Sequence, residues 1–297
     1  MKVRVLGSCA GGGLPQWNCG GDNSVRARRG DPDVPARTQP GLAVSADGMR
    51  WSILNAGPDL RVQLAAFPAL HPKPGTRDVP LDTVALTSAE LDHVLGLLVL
   101  REALSFRIVS TRWVRDAILG HNAAWRLLEP VWGAAPLDAP IALDRSGTLE
   151  LRFFPVPAKV PGYLRDLAKP HAETTTGMRI TERTTGARLA FVPGLSSLDS
   201  ATAAELAAAD VRFVDGTFFT ADELRAAKPG APDAAAIGHV PITGEGGSLA
   251  ALAGLPGRTY YVHMNCTNPV LDVVSPERAR VRRAGVEIAD DGLEIEL

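Results

Sequence analysis

The stretch TSAELDHVLGL, residues 87–97, places Glu90, Asp92 and His93 within one turn of chain. Just before it, Val84–Thr87 is apolar and β-branched, as a buried strand is. Just after it, leucines recur at helical spacing over His93–Glu102. In open α/β sheets, functional groups gather outside the carboxyl ends of strands. An acid beside a histidine at such an end points to metal or acid–base chemistry.

Working outward, further strands are expected at Val3–Leu6, Gly41–Ser45, Trp51–Asn55, Phe106–Ser110, Leu149–Phe154, Ala187–Val192, Val211–Val214 and Thr259–His263. Gly41–Ser45 and Trp51–Asn55 flank Asp47-Gly48, a hairpin turn signal. Helices are expected at Thr111–Leu119, Ala201–Ala209, Gly246–Leu252 and Pro276–Ala284, the second with Asp199 or Ser200 as its cap. The C-terminal VEIADDGLEIEL reads as a closing hairpin turning on Asp291-Gly292. Hairpins mixed with strand–helix units indicate an α/β or α+β class with mixed sheets. No repeat and no composition shift divides the chain, so a single domain over 1–297 is expected. Asp31–Pro40, His71–Pro80 and Pro155–Thr176 read as loops, the last long enough to act as a lid.

Composition narrows the function classes. Hydrophobic residues make up 45% and charged residues 22%, the balance of a soluble globular protein. The formal net charge is -2, which gives no reason to expect nucleic acid or an anionic membrane as a partner. Three cysteines, Cys9, Cys19 and Cys266, argue against a disulfide framework and fit a reducing compartment. The first residues carry no apolar signal segment, and no run approaches the ~20 apolar residues of a membrane span. A cytoplasmic protein is expected.

Three other segments share the layout of 87–97: an apolar run, then a ligand-type residue. They are Val211–Thr217 with Asp215, Ile237–Val240 with His239, and Tyr260–Asn265 with His263. Together the four ends bring Glu90, Asp92, Asp215, His93, His239 and His263 toward one cleft. Imidazole and carboxylate suit zinc, iron and manganese; two histidines, one carboxylate and open positions suit ferrous oxygen chemistry. Each residue alone also has a plain structural reading, Asp215 as a turn residue and Glu90 as a solvated one. His71, His121 and His171 lack such surroundings and read as surface residues. GSCAGGG at 7–13 lacks the Lys-Ser/Thr of a phosphate loop and reads as a tight turn bordering the site. Arg37 and Arg61 are candidates for clamping substrate carboxylates.

Residues 87–97 resemble the metallo-β-lactamase signature His-x-His-x-Asp-His, with Ser88 and Glu90 in place of its first two histidines. Together with GSCAGGGLPQWNC (7–19), ARTQ (36–39), LNAGPDLR (54–61), LDHVLGLLVLRE (91–102), FVDGT (213–217), GHV (238–240) and HMNCTNP (263–269), the chain resembles the pyrroloquinoline quinone (PQQ) biosynthesis protein B family over its whole length. The resemblance implies an αββα sandwich of two mixed sheets flanked by helices, with the site at one rim. It implies metal positions at Asp92, His93, Asp215 and His263, with Glu90 and His239 beside them. It also implies one metal rather than two, since Ser88 and Glu90 replace good zinc ligands. The expected metal is Fe(II), with Zn(II) the alternative. The expected reaction is an iron-dependent, oxygen-using hydroxylation of the tyrosine in a peptide-derived glutamate–tyrosine intermediate. Other readings are a metal-dependent hydrolase, a carrier of PQQ or its precursor toward the periplasm, and a paralogue oxidising a different peptide-derived amino acid.

The chain departs from the family at its cysteines. Cys19-Gly20-Gly21-Asp22-Asn23-Ser24 retains one cysteine of a Cys-x-Cys-x-x-Cys knuckle, so no structural zinc is expected at Cys19. Cys266 stands where the family has asparagine and Cys9 where it has alanine. Both are expected to face the cleft with Ser88 and Asn265, as part of the substrate pocket. Nothing in the sequence sets the oligomeric state, a homodimer being one expectation.

Overall fold

The computed structural model describes residues 1–102 and 105–297. Six strands of the N-terminal half are β1 (Lys2–Gly7), β2 (Gly41–Ser45), β3 (Trp51–Leu54), β4 (Leu81–Ala85), β5 (Arg107–Thr111) and β6 (Trp132–Ala135). Then follow β7 (Ile141–Ala142), β8 (Leu149–Pro155), β9 (Thr176–Glu182), β10 (Arg188–Val192), β11 (Val211–Asp215), β12 (Arg258–Val262), β13 (Val286–Ile288) and β14 (Glu294–Glu296). One sheet runs β14-β1-β2-β3-β4-β5-β6 and the other β13-β12-β11-β10-β9-β8-β7. Each is mixed: β3 to β6 are parallel while β1 and β2 are antiparallel, and β10 to β13 are parallel while β7 to β10 alternate.

The layers follow from which side chains each strand buries. Val3, Val5, Leu42, Val44, Phe153, Met178, Phe191 and Phe213 fill the space between the sheets. The outer face of the first sheet packs Ile53, Val84 and Ile108 against Leu60 of α1 (Leu60–Ala65) and Val114 and Ile118 of α2 (Arg112–His121). The outer face of the second packs Ala190, Val214 and Tyr261 against Leu206 of α3 (Ser200–Ala207), Leu249 of α4 (Ser248–Leu252) and Val281 of α5 (Pro276–Arg283). A sheet or helix must cover its apolar face, and four layers do so here. The result is the expected αββα sandwich. No helix among the described residues is long and apolar enough to cross a membrane.

Several elements differ from expectation. The C-terminal segment is not a hairpin: β13 pairs in parallel with β12, while β14 pairs with β1 in the other sheet. The Asp291-Gly292 turn, with Gly292 at φ 85°, carries the chain from one sheet to the other. Ile237-Gly238-His239 is not a strand end. Ala234–Ile237 is a short helix whose cap, Asp233, accepts from Ala236 N at 2.8 Å, and Gly238 ends it at φ 108°. An alanine run behind an aspartate cap favours helix locally. The His93–Glu102 stretch begins as an α-turn over Leu91–Val94 and tightens into a 3-10 helix over Leu95–Glu102. The strands β6, β7 and β9 had no counterpart in the expectation.

Candidate metal centre

The segment after β4 is held by polar contacts before it reaches Asp92. Asn55, at φ 61°, accepts from Thr87 N at 2.9 Å through Oδ1. Thr87 O accepts from Thr176 N at 2.9 Å, which joins this rim of the first sheet to β9 of the second. Packing fixes the next turn. A methyl on Gly96 would lie 2.1 Å from Gly57 O, and one on Gly57 would lie 2.4 Å from Asp92 O. These glycines let the 54–61 and 91–102 segments touch backbone to backbone.

From β11 comes Asp215 and from the end of β12 comes His263, the latter at φ 65°. A bulky residue in this left-handed region is held there by its neighbours. Gly216 N donates to Val262 O at 2.8 Å, and Met264 N donates to Ser8 O at 3.1 Å. His239 enters from the turn after the 234–237 helix, its Nδ1 2.6 Å from Asp215 Oδ2. The ring planes of His239 and His263 stack with centroids 5.2 Å apart.

The structure thus gathers five of the six candidate ligands. The donor atoms of Asp92, His93 and His263 lie within 4.8 Å of one another, and so do those of Asp215, His239 and His263. Glu90 is in neither set. It lines the same cavity, of about 820 Å³, with Ser88, Asn265, Tyr163 and Phe218.

Polar contacts orient each imidazole. Ser88 Oγ lies 2.8 Å and Thr87 Oγ1 3.3 Å from His93 Nδ1. His93 Nε2 is buried with no hydrogen-bond partner. A buried ring nitrogen whose opposite nitrogen is hydrogen-bonded is the arrangement of a metal-ligating histidine. His263 Nδ1 lies 2.8 Å from Thr217 Oγ1 and its Nε2 lies 3.0 Å from Asp92 Oδ2. Thr217 Oγ1 also donates to Asp215 Oδ1 at 2.6 Å and lies 3.0 Å from His239 Nδ1. Each donor set fits a divalent ion: two imidazoles and a carboxylate converge, and the cavity leaves further positions open.

Charge is balanced by proximity. Burial raises the Asp92 carboxyl, but the imidazoles of His93 and His263 outweigh it and hold Asp92 well below the carboxylate range. Asp215 is likewise lowered, burial being outweighed by His239, His263 and Thr217. Burial brings His93 down to about 4. Burial and the Asp92 charge push Glu90 up to about 7.

Four of the substrate-pocket expectations are corrected. Arg37 is 4% exposed and gives its guanidinium to Asp290, Ser8 Oγ and Ala289 O, so it ties the N-terminal loop to the C-terminal segment rather than meeting substrate. Arg61 is exposed on α1 and does not line the cavity. Cys9 is fully buried and pairs with Met264 in an isolated parallel bridge, away from the cavity lining. Cys266 turns away, its thiol donating to Gln16 Oε1 at 3.0 Å. Ser88 and Asn265 do line the cavity. His71, His121 and His171 are exposed.

Sequence reasoning missed Thr217, which touches Asp215, His239 and His263. It sits in the quoted FVDGT, where only the aspartate was weighed. The 155–176 segment, expected as a lid-length loop, lines the cavity through Lys159, Val160, Tyr163 and Arg165. Tyr163 OH donates to Ala89 O at 2.7 Å, and Lys159 Nζ donates to Ala235 O and Ala236 O at 2.9 and 2.7 Å.

Comparison with known proteins places this geometry. The β-lactamase superfamily domain model matches residues 50–264. A crystal structure of Zn(2+)-bound PqqB from Methylobacterium extorquens superposes with a TM-score of 0.94 at 39% identity, covering 100% of both chains. A diphosphatase of the PhnP family shares the fold, with a TM-score of 0.68 at 18% identity over 100% of this chain and 97% of that one. The coenzyme PQQ synthesis protein B of Methylobacterium nodulans is 41% identical, and that of Azotobacter vinelandii 38%, each with 100% of both chains covered. At such identity over full length, the chain belongs to the coenzyme PQQ synthesis protein B family, on the metallo-β-lactamase fold.

Proposed function

We propose that this chain acts in the synthesis of coenzyme PQQ as an iron-dependent enzyme that uses dioxygen to hydroxylate the tyrosine ring of a peptide-derived glutamate–tyrosine intermediate. The observation that carries the reading is the set Asp92, His93 and His263, with Ser88 and Glu90 standing beside it. Ser88 Oγ is spent on His93 Nδ1, and Glu90 stands outside both donor sets. The two donor sets share His263, and Asp92, His93 and His263 are taken as the iron site. A ferrous ion held there supplies the redox chemistry that dioxygen requires.

The protein's own groups supply the rest. Thr217 and Ser88 fix the ring orientations of His263 and His93. The 155–176 segment, tethered through Tyr163 and Lys159, forms one wall of the cavity. Glu90, pushed up to about 7, is placed to hold or take a proton at the cavity wall. Phe218 and Tyr163 give the cavity apolar faces against which an aromatic ring can lie.

A second reading has its own observation. Asp215, His239 and His263 form an overlapping donor set, and a relative is described as Zn(2+)-bound. A zinc hydrolase would use both sets. Metal analysis followed by oxygen uptake separates the two. About one iron per chain, with substrate-dependent uptake lost in His93→Ala, supports the hydroxylase. Two zinc ions and no uptake refute it in favour of the hydrolase. No tight metal would refute both and leave a carrier.

A further inference from the structure

On the far side of the His263 loop lies a separate cleft of about 680 Å³, lined by Cys19, Asn23, Glu223 and Cys266. Its two walls are stitched together by the residues around both thiols. Gln16 accepts from Cys19 N at 3.1 Å through its backbone carbonyl and from Cys266 Sγ at 3.0 Å through its side chain. Asn23 Nδ2 donates to Cys266 O at 3.1 Å and to Asn268 O at 2.9 Å. We propose that Cys19 and Cys266 are a redox pair that closes to an intrachain disulfide when the protein meets a hydroperoxide, Cys19 being the thiol that reacts first.

The two sulfurs differ in the way such a pair requires. Cys19 is partly exposed, and Gly21 N donates to its sulfur at 3.4 Å. Burial raises its thiol, but Ser24, Gly21, Cys266 and the Arg28 charge outweigh burial and bring it below the ordinary value. Cys266 is 6% exposed, and burial with the neighbouring Cys19 pushes it up to about 12. The thiolate is the nucleophile, so attack begins at Cys19. Cys9 is fully buried, with its thiol raised by burial, and takes no part.

The chemistry balances in two steps. The Cys19 thiolate attacks the hydroperoxide, the O–O bond breaks, and a Cys19 sulfenic acid and an alkoxide result. The alkoxide takes up a proton equivalent to the one the thiol released on ionising and leaves as an alcohol (water, from hydrogen peroxide). The Cys266 thiol then attacks the sulfenic sulfur, the S–O bond breaks, and water leaves with the Cys266 proton. The two sulfurs lose two electrons in all, and the hydroperoxide gains them. Cys266 is adjacent to Asn265, which lines the main cavity. Its bond to Gln16 is lost on oxidation, and the Gln16 side chain packs against Gly12 of that same cavity wall. The thiol state is thereby felt at the wall of the metal site.

The test uses the whole protein, metal-loaded as purified, treated with hydrogen peroxide and then alkylated. The expected product is a monomer two hydrogens lighter, with fragmentation joining the Cys19 and Cys266 segments and a reductant restoring both thiols. Before oxidation, iodoacetamide should modify Cys19 at least about ten-fold faster than Cys266 or Cys9 near pH 7. The Cys9→Ala variant should behave as the parent does. Cys266→Ser should stop at a sulfenic acid trapped by dimedone. Fragmentation of the unsubstituted chain decides the matter even where a variant folds poorly. A free Cys266 thiol after Cys19 has been oxidised, or Cys19 linked between two chains, overturns the proposal.

Discussion

His263 Nε2 lies 3.0 Å from Asp92 Oδ2, joining the end of β12 to the turn after β4 across the two sheets. Burial lowers the His263 imidazole, but Asp92, Asp215 and Glu90 outweigh burial and raise it. In metal-free protein this contributes stability that is fully present below the ordinary histidine value near 6.5 and fades as pH rises through the raised folded value. Asp92→Asn should remove most of that pH-dependent contribution and lower the His263 titration midpoint. An NMR titration of the chelated protein reads this directly. The same variant should lose at least about 100-fold in metal affinity, since even outer-sphere partners of metal ligands are worth 10–100-fold. Unchanged affinity in a competitive chelator assay would remove Asp92 from the ligand set.

Gly96→Ala should destabilise the chain by about 2–4 kcal/mol, because the clash is with backbone that cannot rotate away. The new methyl would sit 2.1 Å from Gly57 O and 2.7 Å from Leu60 Cβ. Gly120→Ala, at an exposed helical position with nothing near the added carbon, should be neutral or slightly stabilising. Urea midpoints of the two variants give the comparison. Equal midpoints would mean that the 54–61 and 91–102 segments can separate without cost.

The strands that lead to Asp92, Asp215 and His263 were legible because their apolar, β-branched runs give way within a few residues to ligand-type residues. What stayed hidden was set by partners far away in the chain. Arg37 reads as a free cation locally, yet its guanidinium meets Asp290, 253 residues on. The strand β9, TGMRITE, carries threonines and an arginine, and it lies in the sheet because β8 and β10 pair with it on both sides. His239 looked like a strand-end residue, but an aspartate-capped alanine turn delivers it. Thr217 gave no signal, because a hydroxyl that orients three other side chains has no spacing of its own.

Glu223→Gln should make the protein more stable above neutral pH while leaving it unchanged in acid. Burial pushes the Glu223 carboxyl up to about 7, against the hydrogen bonds from Thr267 and Phe219 N that favour its charged form. A carboxyl raised on folding binds its proton more tightly in the folded state. Its penalty is therefore absent below about 4.5, grows as pH rises, and is complete above about 7. Full expression of that shift corresponds to at most about 3 kcal/mol, less to the extent that water reaches the partly exposed side chain. Denaturant midpoints at pH 5 and pH 8 provide the check. A variant less stable at pH 8 would show that the two hydrogen bonds, not burial, dominate at Glu223.

Thr217→Val tests whether the hydroxyl at the centre of the site organises it. Thr217 Oγ1 donates to Asp215 Oδ1 and lies within 3.0 Å of both His239 Nδ1 and His263 Nδ1. Valine keeps the shape and removes the hydroxyl, so His263 loses the contact that leaves its Nε2 aimed at the cavity. The buried Asp215 carboxylate keeps Leu195 N at 2.9 Å and His239 Nδ1 at 2.6 Å as partners, so the fold should survive. Metal affinity should drop about 10–100-fold, the range for contacts that orient ligands without binding metal themselves. Thr217→Ser should restore most of it. A valine variant that binds metal as tightly as the parent would mean that backbone, not Thr217, sets the His263 ring.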